Sequence, residues 1–334
     1  MIDFSTEYLG LKLKGPIVVS STPLSESVDN LHRMEEAGAA AVVLPSLFEE
    51  QLILESQALD ADLERGTNSF AESLDYLPDS GNYRMTEEVY LQHLRRAKDA
   101  VKIPVLGSMN GITPGGWIRY AKEIEQAGAD ALELNTFALA TNRSHTSADL
   151  ELQIIKLVEQ VTKSVRIPVA VKLSPTFTSL PFMASCLADA GARGIVLFNR
   201  FYEPDFDIET LEVRPTLRFS SSAELLTRLH WTAILFGQVK TDFAITGGVH
   251  TAEDVLKSIM AGANVAMMTS ALHLHGIEHI GRVMADLVLW LEKHEVASLA
   301  TTRGSLSRRA LPDTSPYDRG NYIKTLSSYS LAIK

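Results

Sequence analysis

Phe243-Ala244-Ile245-Thr246-Gly247-Gly248-Val249, continued by Thr251-Ala252-Glu253-Asp254 and then by Ala261-Gly262-Ala263-Asn264-Val265-Ala266-Met267-Met268-Thr269-Ser270, decides the fold. Two short apolar runs, Phe243–Thr246 and Val265–Thr269, flank a segment of helical period, the pattern of parallel strands joined by a crossover helix. The punctuation repeats. Ala-Gly-Ala stands at Ala37–Ala39, Ala127–Ala129, Ala190–Ala192 and Ala261–Ala263, shortly before a strand each time, where glycine can cap a helix in the left-handed conformation. Val101–Val105 and Val165–Val169 echo each other as Val-Lys/Arg-Ile-Pro-Val, with proline at a strand entrance, where it interrupts no ladder.

Working outward, strands are expected at Ile17–Ser20, Ala41–Leu44, Val105–Ser108, Ala131–Asn135, Val169–Leu173, Gly194–Asn199, Phe243–Thr246 and Val265–Thr269. The predicted fold class is α/β, a single (β/α)8 TIM barrel over residues 1–299. Residues 300–334 are expected to be an irregular tail that packs on the barrel or on a neighbouring subunit. Long loops follow strand two (Phe48–Met85) and strand six (Arg200–Ser220), at the end of the barrel where active sites are built.

The chain has 334 residues, 46% hydrophobic and 22% charged, a globular composition. Thirty-one Lys and Arg against 41 Asp and Glu, net −10, argue against a general nucleic-acid or anionic-membrane binder. One cysteine, Cys186, excludes an intrachain disulfide and a thiolate cluster, so redox chemistry would need a bound cofactor. Cys186 falls in an expected helix, Phe182–Ala190, as small buried filler. The amino terminus lacks a secretory apolar region and no window suits a membrane span, which points to a cytoplasmic protein. His273, His275 and His279 lack an acidic companion at metal-site spacing, so no metal is expected.

Gly247 and Gly248 after strand seven let backbone amides approach an anion, and Thr269 and Ser270 after strand eight add amides and hydroxyls. A flavin mononucleotide phosphate and a sugar phosphate both suit that arrangement. Lys172 closes strand five between apolar neighbours, where its ammonium can stabilise negative charge on a reduced flavin or form a Schiff base. Asn135 and Asn199 end strands four and six with amides suited to the edges of a heterocycle, or to capping local loops.

Together these residues resemble the dihydroorotate dehydrogenase family, class 1, FMN-dependent (β/α)8 barrels. The resemblance runs from Tyr8-Leu9-Gly10-Leu11 to Trp290-Leu291-Glu292-Lys293 and is most specific at Glu133-Leu134-Asn135, Val171-Lys172-Leu173, Asn199, Thr246-Gly247-Gly248 and Ala261-Gly262-Ala263. It implies flavin contacts from Ser20, Ser21, Ser46, Asn135 and Lys172, and an FMN phosphate cradle of Gly247, Gly248, Thr269 and Ser270. This chain departs from the family pattern where substrate chemistry belongs. Pro45-Ser46 replaces Lys-Ser, Ala138 stands at the position of the general base, Ala140 replaces a substrate amide, and Asn199-Arg200 replaces Asn-Ser.

Ser144 and His145 are the remaining candidates for proton transfer, and Arg143, Asn199 and Arg200 for holding a substrate carboxylate or amide edge. The expected activity is hydride transfer between a substrate C–C bond and flavin, with little dihydroorotate oxidation. A homodimer is expected, with a separate protein as electron donor or acceptor. Two other readings stand beside it: a Lys172 Schiff-base aldolase, and a flavin-binding accessory protein with a degenerate substrate site.

Overall fold

The computed structural model describes residues 2–49, 86–110, 114–136, 140–200 and 202–329. Eight parallel strands close into a barrel: β1 (Ile17–Val19), β2 (Ala41–Phe48), β3 (Val105–Asn110), β4 (Ala131–Asn135), β5 (Val169–Leu173), β6 (Gly194–Leu197), β7 (Asp242–Thr246) and β8 (Val265–Met268), with β8 returning to β1. Helices follow the strands: α1 (Val28–Glu36), α2 (Glu87–Ala100), α3 (Pro114–Gln126), α4 (Ser147–Ser164), α5 (Leu180–Asp189), α6 (Leu225–Leu235), α7 (Ala252–Ala261) and α8 (His279–Lys293). All eight expected strands are present, with ends that differ. β2 and β3 run further than expected, to Phe48 and Asn110, while β1, β6 and β8 stop at Val19, Leu197 and Met268. Pro45 sits inside β2, where the register with β3 slips between Val43 and Ser46, an interruption that accommodates its missing N–H.

Alternation along the strands makes two cores. In β2, Ala41 and Val43 join Leu106, Ala131, Ala170, Val196 and Ala244 inside the barrel, while Val42 and Leu44 pack outward on the helices. Both faces are buried, so the strands read as continuous apolar runs.

A hairpin absent from the sequence reading, Thr6–Tyr8 paired with Leu11–Leu13, plugs the amino-terminal end of the barrel with Tyr8, Leu9 and Leu13. Leu9 and Gly10 turn at φ 57° and 77°, the positive-φ geometry of a tight hairpin. The Leu9 amide donates to Asp242 Oδ2 at 2.7 Å, Thr6 Oγ1 donates to the Asn264 carbonyl at 2.9 Å, and Asn264 Nδ2 donates to the Glu7 carbonyl at 2.6 Å. Gly194 is required by this plug, because a Cβ there would lie 2.5 Å from a Leu9 methyl.

The loop after β6 carries a second hairpin, Asp205–Asp207 with Glu212–Arg214. Most of the loop expected after strand two lies outside the described residues. Beyond α8 the chain lies against α6 and α7: the amides of Gly304, Leu306 and Arg308 donate to the carbonyls of Ile259, Met260 and Ala233. The expected irregular tail also contains a helix, Asn321–Tyr329. Cys186 is half-buried rather than buried filler, since the buried stripe of α5 is Leu180, Met183, Ala184 and Leu187, and 186 falls beside it. Among the described residues no helix is long and apolar enough to cross a membrane.

Between α2 and α3, Glu123 faces Glu87, which pairs with Arg119 at 3.1 Å. Burial first, and then the neighbouring Glu87 carboxyl, push Glu123 up to about 7. A carboxyl raised in the folded state loses stability as pH rises from its unfolded value to its folded one. Glu123→Gln is therefore expected to raise the melting temperature at pH 8, with the gain shrinking below pH 7 and gone near pH 4. A constant gain across pH would contradict this origin.

Candidate active site

At the carboxyl ends of the strands lies a cavity of about 160 Å³. Ser20 and Ser21 follow β1, Ser46 is in β2, Asn135 ends β4 and Lys172 lies in β5, and all five line it. So do Gly247, Gly248, Thr269 and Ser270 after β7 and β8, and Asn199 and Arg200 after β6.

On one wall, Asn135 of β4 is in register with Lys172 of β5, and Glu133, two residues before Asn135, shares its inner face. Lys172 Nζ lies 3.2 Å from Glu133 Oε1; Lys172 is 7% exposed and Glu133 0%. Glu133 Oε2 and Asn135 Oδ1 are buried without hydrogen-bond partners. A row of hydroxyls continues the wall: Ser46 Oγ is 3.5 Å from Ser21 Oγ and 2.7 Å from Ser108 Oγ. Behind it Tyr90, fully buried, accepts from the Ser108 amide at 2.8 Å, and burial pushes its phenol well above the usual range.

At the opposite end, Gly247 and Gly248 have φ of +84° and +83°. The Gly248 amide donates to Ser220 Oγ at 3.1 Å, and Ser220 Oγ is 2.9 Å from Ser270 Oγ. Thr269 Oγ1 is buried without a partner. Beneath the glycines, the buried Arg228 of α6 donates from Nε to the Thr246 carbonyl at 2.5 Å and from Nη1 to the Glu224 carbonyl at 2.6 Å. A Cβ on Gly247 would meet Arg228 Nη2 at 2.7 Å, and one on Gly248 would meet the Leu225 amide nitrogen at 2.6 Å. The two glycines thus serve the close approach of α6 as well as amide exposure, and a bulky residue at 248 would strike that helix.

Arg200 reaches from the rim, with Nη2 3.3 Å from Glu224 Oε1 and its guanidinium 5.6 Å from the Tyr202 ring centroid. Arg143, Ser144 and His145 are not brought to the cavity. They are exposed, in a turn where the Ser144 amide donates to Asn142 Oδ1 at 2.9 Å. Thr146 then caps α4, directing the chain into that helix. Ala138 lies outside the described residues, and Ala140 is exposed. Among the described residues no cluster of three or more His, Cys, Asp or Glu is placed to hold a metal. His273 Nε2 instead lies 2.9 Å from Thr22 Oγ1, and its ring stacks on Phe219.

Three residues of this site were not among the sequence candidates for chemistry: Glu133, Ser220 and Arg228. Arg228 had a legible signal, since it falls with Leu225, Thr232 and Leu235 on the buried stripe of α6. Glu133 was a charge inside an apolar strand. Ser220 is placed by tertiary packing alone.

The donors suit an elongated ligand with an anionic group at the glycine end and a hydrogen-bonding heterocycle against Asn135 and Lys172, whose side chains supply an unsatisfied acceptor and a cation. The cavity is smaller than the roughly 300–1,000 Å³ usual for small-molecule sites. Ser220, Arg200 and Tyr202, all from the loop after β6, also line it.

A family model described as dihydroorotate dehydrogenase matches residues 73–291. The chain is similar to the catalytic subunit of dihydroorotate dehydrogenase B (NAD(+)) of Methanocaldococcus jannaschii, 24% identical over 298 residues, covering 87% of this chain and 94% of that one. It is similar to dihydroorotate dehydrogenase A (fumarate) of Limosilactobacillus reuteri, 27% identical over 215 residues, 60% of this chain and 67% of that one. It is also similar to the chloroplastic dihydropyrimidine dehydrogenase (NADP(+)) of Arabidopsis thaliana, 22% identical over 326 residues, 90% of this chain and 76% of that one.

Proposed function

The chain belongs to the dihydroorotate dehydrogenase family, and from that premise we propose that it is an FMN-dependent oxidoreductase acting on a C–C bond of a small cyclic or carboxylate-bearing substrate other than dihydroorotate. The observation that carries the reading is one cavity with Asn135 and Lys172 at one end and Gly247, Gly248, Thr269 and Ser270 at the other. In this reading the glycine end holds the phosphate, and Ser20, Ser21, Ser46, Asn135 and Lys172 hold the ring. When bound, the flavin supplies the redox centre of the hydride transfer.

The chain's own residues supply binding, orientation and charge. Lys172 places a buried cation against the ring site, and Glu133 fixes where that cation sits. Arg200 offers a guanidinium for a substrate carboxylate in exchange for its contact with Glu224. Asn199 supplies an amide beside it. Ser144 and His145 stay the candidates for proton transfer, and reaching the cavity requires the β4–α4 loop to fold inward.

Of the other readings, the aldolase is disfavoured because the Lys172 nitrogen is engaged by Glu133, whereas a Schiff-base lysine needs a free amine. An accessory flavoprotein is favoured by the solvent-facing positions of Ser144 and His145. The protein is proposed to be a cytoplasmic homodimer that exchanges electrons with a separate protein.

The test is the absorption spectrum of the purified protein, then anaerobic mixing with dihydroorotate. One FMN per chain that dithionite bleaches and dihydroorotate does not is the expected result. General-base help is worth about 10² to 10⁴ in rate, so a site without it bleaches far more slowly than one turnover demands. Rapid stoichiometric bleaching by dihydroorotate would overturn the substrate proposal. A colourless protein that FMN does not reconstitute would overturn the cofactor.

A further inference from the structure

Opposite the flavin cavity, at the amino-terminal end of the barrel, a second cavity of about 510 Å³ opens between the plugging hairpin and the segment Leu299–Arg303. Lys12, Ser5, Glu7 and Arg303 line it, with Asn264 at its base. The network beneath is complete without Arg303. Asp242 accepts from the Leu9 amide and from Asn264 Nδ2, at 2.7 and 2.9 Å. Asn264 Oδ1 accepts from the Phe243 amide at 3.0 Å.

Arg303 takes no part in these bonds. Its Nε is buried with no hydrogen-bond partner, and its guanidinium lies 5.5 Å from the Phe236 ring centroid. Asp242 and Glu7 attract it only at longer range, and burial holds it below the ordinary arginine range. An Nε buried without a partner is a donor left unsatisfied, and a ligand in the cavity can take it. With Lys12 beside it, the lining carries two cations against Glu7.

We propose that this cavity binds a small oxyanion, a phosphate ester or a carboxylate, through the Arg303 fork assisted by Lys12. A guanidinium fork can meet such an anion with two parallel N–H donors. The site lies at the far end of the barrel from the flavin cavity, and its ligand is a separate molecule from both cofactor and substrate.

The test uses flavin-loaded protein, so that the glycine end is already filled. Inorganic phosphate and succinate are titrated in parallel by calorimetry, into the unmodified protein and into Arg303→Gln and Lys12→Ala. Saturable binding of one equivalent is expected, weakened roughly tenfold or more in Arg303→Gln, the loss of a charge-assisted hydrogen bond, and less in Lys12→Ala. Preference for phosphate assigns a phosphate ester, preference for succinate a carboxylate. No saturable binding of either anion would overturn the proposal, as would equal binding in a folded Arg303→Gln. Should Arg303→Gln not fold, the exposed Lys12 decides, and undiminished affinity in Lys12→Ala would overturn the site as described. Should the protein take up no flavin, the same titrations with Ser270→Ala separate this cavity from the glycine end, because only anion binding at the latter falls with Ser270.

Discussion

Lys172→Met is expected to destabilise the protein by about 3–5 kcal/mol, the usual cost of stripping a buried ion pair of one partner, and to abolish productive flavin chemistry. Glu133 is 0% exposed, and with Lys172 gone both of its oxygens would be buried without a partner. A variant that removes only the lysine therefore confounds stability with function. The double variant Lys172→Met/Glu133→Gln separates them, because it removes both charges and keeps similar volumes. Urea midpoints should show the single variant far below the double, and the double should bind flavin while failing to turn over. Equal midpoints for Lys172→Met and the unmodified protein would refute the buried-pair argument.

Arg228→Met should have the next largest effect, on cofactor retention. Two charge-assisted hydrogen bonds tie Arg228 to the Thr246 and Glu224 carbonyls, and each is worth about 1.5–3 kcal/mol. Without them the start of α6 is no longer fixed against Gly247 and Gly248. We expect a stability loss of about 3 kcal/mol and FMN affinity reduced by roughly two orders of magnitude, since 1.4 kcal/mol is a factor of ten. Arg228→Lys keeps a charge but not the fork, so it should recover part of the stability and little of the affinity. Fluorescence titration of the flavin-free variants measures this; FMN binding unchanged in folded Arg228→Met would place the cradle's support elsewhere.

The barrel was legible because strands buried on both faces read as unbroken apolar runs, and because a glycine ended the preceding helix at Gly38, Gly128, Gly191 and Gly262, each at positive φ. The two hairpins were not. Their strands are three residues long, too short to show a period, and Asp205–Asp207 with Glu212–Arg214 is largely exposed. Within the site, the residues named from strand ends line one cavity because a barrel turns its strand termini toward a common axis. Ser144 and His145 have side chains suited to proton transfer, but the Ser144 amide bond to Asn142 Oδ1 and the Thr146 cap hold that turn in an exposed position. Arg228 stood on the buried stripe of its helix, but its bond to the Thr246 carbonyl, like the contacts of Ser220 with Gly248 and Ser270, joins separate elements, and no local pattern records such pairings.

The plug at the barrel floor ties chain order to completion of the fold. Its hairpin spans Thr6–Leu13, yet the groups that seat it, Asp242 and Asn264, lie 233 and 258 residues further along. β1 likewise finds one of its two neighbours in β8. During synthesis the hairpin must therefore stay unattached until Asp242 and Asn264 have emerged, with Tyr8, Leu9 and Leu13 in water meanwhile. A nascent chain halted before Asp242 lacks the anchor for this hairpin, so barrel closure waits on the last strands, and partial products carry exposed apolar surface open to capture by chaperones or proteases.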